Sequence, residues 1–272
     1  KVKFTDSAHR TSILTQGARE INKVNIISSS CGNDSVALIQ WARENNIDNV
    51  IVTYLDTGWA APNWQERVDK VAAWVESVGY EFVVIQSMGM EALVKMKKGF
   101  PANQYQFCTQ HLKGVPFLNW IDERDPELRS KVLVGKRRAE SRARANTPEF
   151  VGDSEYHGGR TLWHPLYKHS DVERDALLER AGFEALPHRS QECSPCVNAN
   201  RSDFLLLKPE QVQRVSELEV ELGKSMFRPK RFNALGIHGV MTWAKYGKRK
   251  MRMEPGEIES GSGCDGHYGC GL

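Results

Sequence analysis

Six cysteines are scattered through 272 residues, and their spacing is the first sign of chemistry. Cys193-Ser194-Pro195-Cys196 is a C-x-x-C, which lets two thiolates reach one metal or form a redox pair. Cys108 stands upstream in Phe107-Cys108-Thr109-Gln110-His111-Leu112-Lys113, followed by Pro116. Cys264 and Cys270 come last, in a Gly- and Ser-rich stretch from Glu254 that reads as a mobile tail. So few cysteines are too sparse for a disulfide scaffold and point to metal or redox chemistry in a reducing compartment, with the cytoplasm as the expected location. His111 and His164 lack the spacing of a metal pair.

A second set of residues has the makings of an anion site. Ser28-Ser29-Ser30-Cys31-Gly32-Asn33-Asp34-Ser35 follows an apolar strand and opens a helix, where backbone N–H groups and the helix terminus attract phosphate or sulfate. It is neither a Walker loop nor G-x-G-x-x-G. Asp56-Thr57-Gly58 ends the next strand and belongs at the same carboxyl edge of a parallel sheet. Gly135-Lys136-Arg137-Arg138 and Arg142 to Arg144 follow another strand, and arginines there can clamp an oxyanion bidentately.

The elements that must position these groups follow from periodicity. Val24 to Ile27, Asn49 to Leu55 and Glu81 to Gln86 read as strands. Helices are expected from Ser35 to Glu44 and through Val68, Val71 and Val75 to Gly79. Lys131 to Gly135 and Thr161 to Trp163 add two further strands. Alternating strands and helices predict an α/β fold with a doubly wound, mostly parallel sheet. Residues 8–22 form an expected amphipathic helix, Ser170 with Glu173 a capping box, and Pro209 the start of a helix to Gly223. Beyond it the chain reads as irregular and basic. The division expected is a nucleotide-binding domain over 1–205 and a helical, basic extension over 206–272.

No apolar run nears the roughly 18 residues of a membrane helix, and Lys1 to Asp6 lacks the apolar core of a secretory leader. The formal net charge of +3 is uneven: nine Lys/Arg and no Asp or Glu lie between Lys224 and Met253. Such a segment suits phosphates, sulfates or nucleic acid, or simply a solvated surface.

Ser30-Cys31-Gly32-Asn33-Asp34-Ser35 resembles the S-G-G-x-D-S loop of the PP-loop ATP pyrophosphatases, and with Ala37 and Leu38 it is similar to their sulfonucleotide (APS and PAPS) reductase branch. Leu55-Asp56-Thr57-Gly58 with Pro62 resembles that branch's D-T-G-x-x-x-P element. Gly135 to Ser141 with Arg144 resembles its G-x-R-R-x-x-S segment, and His164-Pro165-Leu166 ahead of Asp171-Val172 its P-L…D-V stretch. The resemblance implies that Ser28, Ser29, Ser30, Gly32, Asp34, Ser35, Asp56, Thr57, Gly58, Gly135, Arg137, Arg138 and Arg144 bind an adenine nucleotide: ATP, APS or PAPS.

The same resemblance extends to the cysteines. Iron–sulfur members carry C-C-x-x-x-K-x-x-P and then C-x-x-C, which makes Cys108, Cys193 and Cys196 expected ligands of a 4Fe–4S cluster, with Phe107 where the first cysteine would be. The fourth ligand is then Cys264, Cys270, a non-cysteine group or a small molecule on an open iron; a zinc site is the competing reading. The last residues resemble the reductases' C-terminal E-C-G-L-H, making Cys270 the expected nucleophile, with cluster ligation or an incidental tail cysteine as the other readings. Three functions follow. A reductase would use a thioredoxin-like thiol. An ATP pyrophosphatase with Mg²⁺ would activate a nucleic acid for sulfur insertion (DNA phosphorothioation or tRNA thiolation), with sulfur from a cysteine desulfurase. A regulator would keep the fold without catalysis. A second copy of the chain, in a homodimer, is a further expected partner.

Overall fold

In the computed structural model, which describes residues 24–227 and 236–247, a six-stranded sheet organises the chain. The elements run β1 (Asn25–Ser29), α1 (Asn33–Glu44), β2 (Val50–Asp56), α2 (Trp64–Ser77), β3 (Glu81–Gln86) and α3 (Met90–Lys97). Then α4 (Phe107–Thr109) passes through a π-helical turn, Gln110–Gly114, into α5 (Val115–Arg124). After these come β4 (Lys131–Val134), β5 (Phe150–Ser154), β6 (Arg160–Trp163) and α6 (Asp171–Arg180). Three helices close the described chain: α7 (Arg201–Leu205), α8 (Pro209–Leu222) and α9 (Gly236–Tyr246). The expected helix over 8–22, Cys264, Cys270 and the tail from Glu254 lie outside the described residues, as does most of the basic segment after Phe227.

The sheet order is β3-β2-β1-β4-β6-β5, parallel throughout except for β5. Strand residues alternate between two cores. Ile27, Val52 and Leu133 face α1, α2 and α6, while Ile26, Leu55 and Val132 face Phe117 and Ile121 of α5. Burial on both faces is why these strands read as continuous apolar runs. The chain winds outward from β1 to β3, then returns to place β4 on the other side of β1. That reversal leaves a crevice at the carboxyl ends of β1 and β4, the position where open α/β sheets bind ligands.

One expectation needs correction, and one strand was not anticipated. The chain beyond Gly223 is not irregular throughout, because α9 forms there and buries Ile237, Val240 and Ala244. The sheet also gains an antiparallel edge strand, β5, whose mostly exposed Phe-Val-Gly-Asp-Ser carries little strand signal. Residues on both sides of position 205 share one apolar cluster: Trp59, Met90, Leu93 and Phe107 pack with Val215 and Leu218 of α8 and with Ile237 and Val240 of α9.

Candidate functional site

The loop after β1 is built to leave amide groups open. Ser29 Oγ accepts the Cys31 N–H at 3.0 Å, and Ser30 Oγ accepts the Gly32 N–H at 3.3 Å. Cys31 turns the chain through a left-handed conformation, φ 57°, before α1 begins. No side chain caps α1, so its first-turn N–H groups lack an acceptor within the helix. Asn33, Asp34 and Ser35 instead line a cleft of about 360 Å³ at the crevice between β1 and β4. The positive end of the helix dipole points the same way. Asn33 also reaches across, exchanging two hydrogen bonds with the backbone of Leu186 at 2.9 and 3.0 Å. This draws the segment carrying Arg189, Ser190 and Glu192 over the loop, and all three line the cleft.

The loop after β4 forms the opposite wall. Gly135 is required there: a Cβ would stand 2.7 Å from the Asp34 carbonyl oxygen. Arg137 is buried and divides its guanidinium between Asp34 and Asp171, with a further hydrogen bond to the His169 carbonyl at 3.2 Å. Burial works against its charge, but Asp34 and Asp171 outweigh this and hold its pKa above the usual arginine value. The pair holds the Asp34 carboxylate at the cleft. Arg144 pairs with Glu140, whose carboxyl is pushed up by burial against the pull of Arg144. Arg138 turns away from the cleft to the Thr147 carbonyl at 2.8 Å and packs over Tyr167. Lys136, Arg144, Arg174 and Arg189 supply the cations of the cleft lining besides Arg137.

The third wall is the cysteine loop, and Cys193 and Cys196 both line the cleft. It is held from beneath. Thr57 Oγ1 donates to the Glu192 carbonyl at 2.9 Å, the Trp59 carbonyl accepts the Ser194 N–H at 2.7 Å, and the Trp59 indole N–H donates to the Pro195 carbonyl at 3.1 Å. From α8, Gln211 donates to the Ser194 carbonyl and hydroxyl at 3.1 and 3.0 Å. A buried ion pair joins Lys113 to Glu192 at 2.5 Å, and burial raises the Glu192 pKa against the opposing effect of Lys113.

The expected residues thus separate by position. Ser30, Gly32, Asp34, Ser35, Gly135, Arg137 and Arg144 line the cleft with Cys193 and Cys196. Ser28 and Ser29 lie buried beneath it, and Asp56, Thr57 and Gly58 form a turn that carries the cysteine loop. Cys108 is half-buried and outside the cleft lining. Burial pushes its thiol pKa up, opposed by Lys113 and by hydrogen bonds from Thr109. Counting back from Lys113 and Pro116 also corrects the motif register: the substituted cysteine position is Thr109, the residue that bonds the Cys108 sulfur, and Phe107 is a core side chain. Cys270 lies outside the described residues.

A 4Fe–4S cluster takes four thiolates. Among the described residues, no group of three or more His, Cys, Asp or Glu side chains is arranged to hold a metal ion. The described thiols therefore do not by themselves fit a cluster. Arg174, Arg189, Ser190 and Glu192 were not foreseen from sequence. Their nearest signals were proximity to the Asp171 helix start and to the C-x-x-C.

Residues 24–193 match the family model described as the phosphoadenosine phosphosulfate reductase domain. An uncharacterized 37.8 kDa protein of Escherichia phage 186 is 26% identical over an alignment of 251 residues, covering 72% of this chain and 74% of that protein. A phosphoadenylyl-sulfate reductase from Candida auris, solved as a phosphate complex, is 15% identical with a TM-score of 0.45, over 61% of this chain and 76% of its own. An NH₃-dependent NAD synthetase from Campylobacter jejuni, solved with nitrate, is 12% identical with a TM-score of 0.38, over 76% and 89%. Among the described residues no helix is long and apolar enough to cross a membrane.

Proposed function

The chain belongs to the phosphoadenosine phosphosulfate reductase domain family, and from that premise we propose that it is an enzyme of sulfur chemistry that binds an adenine nucleotide. The nucleotide's anionic end would occupy the cleft between β1 and β4. One observation carries this reading: the uncapped start of α1, the Gly135 loop and the wall bearing Cys193 and Cys196 converge on that single cleft. Asn33, Asp34 and Ser35 would offer backbone N–H groups to the phosphate or sulfate, and Lys136 and Arg174 its countercharge.

In the reductase reading the substrate is APS or PAPS. A thiolate attacks the sulfonyl sulfur, the S–O bond to the nucleotide breaks, and AMP or adenosine 3′,5′-bisphosphate leaves with the electron pair. The enzyme is left S-sulfonated on cysteine. A thiol of a thioredoxin-like partner then attacks that cysteine sulfur, forming a disulfide and releasing sulfite with both electrons. Cys270 is the proposed nucleophile. No step passes through an iron–sulfur cluster.

A second reading has its own observation. Asp34 places a carboxylate in the anion loop, held there by Arg137, where it repels a bare sulfonucleotide and suits a Mg²⁺-nucleotide. That favours an ATP pyrophosphatase adenylating an acceptor such as a nucleic acid, with sulfur supplied by a cysteine desulfurase. Incubation of anaerobically purified protein with each nucleotide separates the readings. Sulfite from APS or PAPS with thioredoxin supports the reductase. Pyrophosphate from ATP in the presence of acceptor, without sulfite, supports the second reading. Nucleotide binding with neither product supports a regulator.

A further inference from the structure

Cys31 occupies a backbone conformation that L side chains adopt at a cost of about 1–2 kcal/mol, and glycine without it. Its thiol is fully buried, and burial pushes the pKa up to about 12, so the side chain is an inert part of the core. Something must therefore hold the backbone here. Two hydrogen bonds clamp the residue on either side: its N–H to Ser29 Oγ at 3.0 Å, and its carbonyl to Arg67 Nε at 2.7 Å.

Arg67 comes from α2 and stands behind the loop, outside the cleft lining. Its guanidinium carbon lies 5.6 Å from the Phe183 ring centre and 5.9 Å from that of Trp64, both buried aromatics. One of its terminal nitrogens, Nη2, is buried without a hydrogen-bond partner. A cation that leaves a donor unmet in an apolar setting is costly to keep. Its fork is nonetheless aimed so that Nε–H meets the Cys31 carbonyl, a geometry lysine cannot copy.

We propose that Arg67 is a positioning residue that holds Cys31 in its left-handed turn and so aims the first N–H groups of α1 into the cleft. Released from this clamp, Cys31 relaxes towards negative φ and the amides of Asn33, Asp34 and Ser35 swing off the anion position. The role in ligand binding rests on the nucleotide reading above, whereas the clamp itself does not.

The test is a double-mutant cycle on the full chain with Arg67→Met and Cys31→Gly, read two ways. The first is the urea unfolding midpoint and needs no ligand. The second is AMP affinity by calorimetry. In the Cys31 background Arg67→Met is expected to weaken AMP about tenfold and lower the midpoint, in line with loss of a hydrogen bond from a charged donor. In the Cys31→Gly background, where no strain needs holding, both effects should shrink, with AMP affinity changing by less than about twofold. General destabilisation cannot produce that non-additivity. Equal losses in both backgrounds, in either readout, overturn the proposal. If wild type binds no AMP, the nucleotide reading falls while the unfolding cycle still decides the clamp. Should Arg67→Met fail to fold, Arg67→Lys keeps the charge without the Nε–H and is expected to show the same coupling.

Discussion

Substituting Gly135 with alanine perturbs the contact that brings the two anion-facing loops together. Gly135 is not in the left-handed region, so the added methyl, rather than the backbone conformation, is at issue. Its Cβ would stand 2.7 Å from the Asp34 carbonyl oxygen and 3.0 Å from the carbonyl carbon. Close C···O contacts settle at about 3.3–3.6 Å, so the loops must part by roughly 0.6–0.9 Å. Both atoms met are backbone, and no side chain can rotate aside to absorb the strain. Overpacking of this kind costs about 1–3 kcal/mol. The displaced backbone belongs to the first turn of α1, where N–H donors reach an oxyanion only within a window of about 0.5 Å. AMP affinity should fall about tenfold or more, equivalent to ~1.4 kcal/mol. Gly152→Ala is the control, since a Cβ there meets nothing within 4 Å. Urea denaturation and calorimetric AMP titration of both variants give the comparison. If Gly135→Ala matches Gly152→Ala in stability and in AMP affinity, the close approach of the two loops is wrong.

Three further outcomes are expected. Burial, with smaller effects of His164 and Arg160, lowers the His157 pKa from 6.5 to about 4. Between those values the unfolded chain binds a proton that the folded chain does not, so stability present above pH 6.5 is lost as pH falls towards 4, by about 3 kcal/mol at the low end. Urea midpoints at pH 7 and 4.5 should converge in His157→Gln, and an unchanged pH slope would reject the assignment. Lys113→Met leaves Glu192 buried without its cation and should cost about 3–5 kcal/mol, largely recovered in Lys113→Met/Glu192→Leu. Chemical denaturation decides, and a single variant within about 1 kcal/mol of wild type would refute the importance of the pair. A Cys264→Ser/Cys270→Ser chain, purified anaerobically, should hold no iron, because the described thiols do not gather a metal site. A full iron complement in that variant would show that they do.

The first half of the fold was legible because β1, β2 and β4 are buried on both faces and carry short apolar runs such as Ile26-Ile27, Val50-Ile51-Val52 and Val132-Leu133-Val134. β5 and α9 were not, since the one is a mostly exposed edge with Gly and Asp, and the other carries two glycines within a basic stretch. The anion loop and Gly135 could be found from type and spacing, as both are local. The pairing of Arg137 with Asp34, 103 residues away, could not, because it depends on how β4 lies beside β1. The same holds for Asp56-Thr57-Gly58, which shares the carboxyl edge but lies one strand away from the chain reversal. Arg174 and Arg189 reach the cleft only through tertiary packing of α6 and of the segment pinned by Asn33.

The central claim is that the anionic end of an adenine nucleotide binds between the start of α1 and the loop after β4. Hydrogen–deuterium exchange of the full chain with and without saturating AMP tests it most directly, because the groups proposed to bind are backbone amides. Slowed exchange concentrated in residues 30–35 and 135–144 is the result the account predicts. Protection confined to other segments, or none at ligand concentrations that saturate binding, would contradict it.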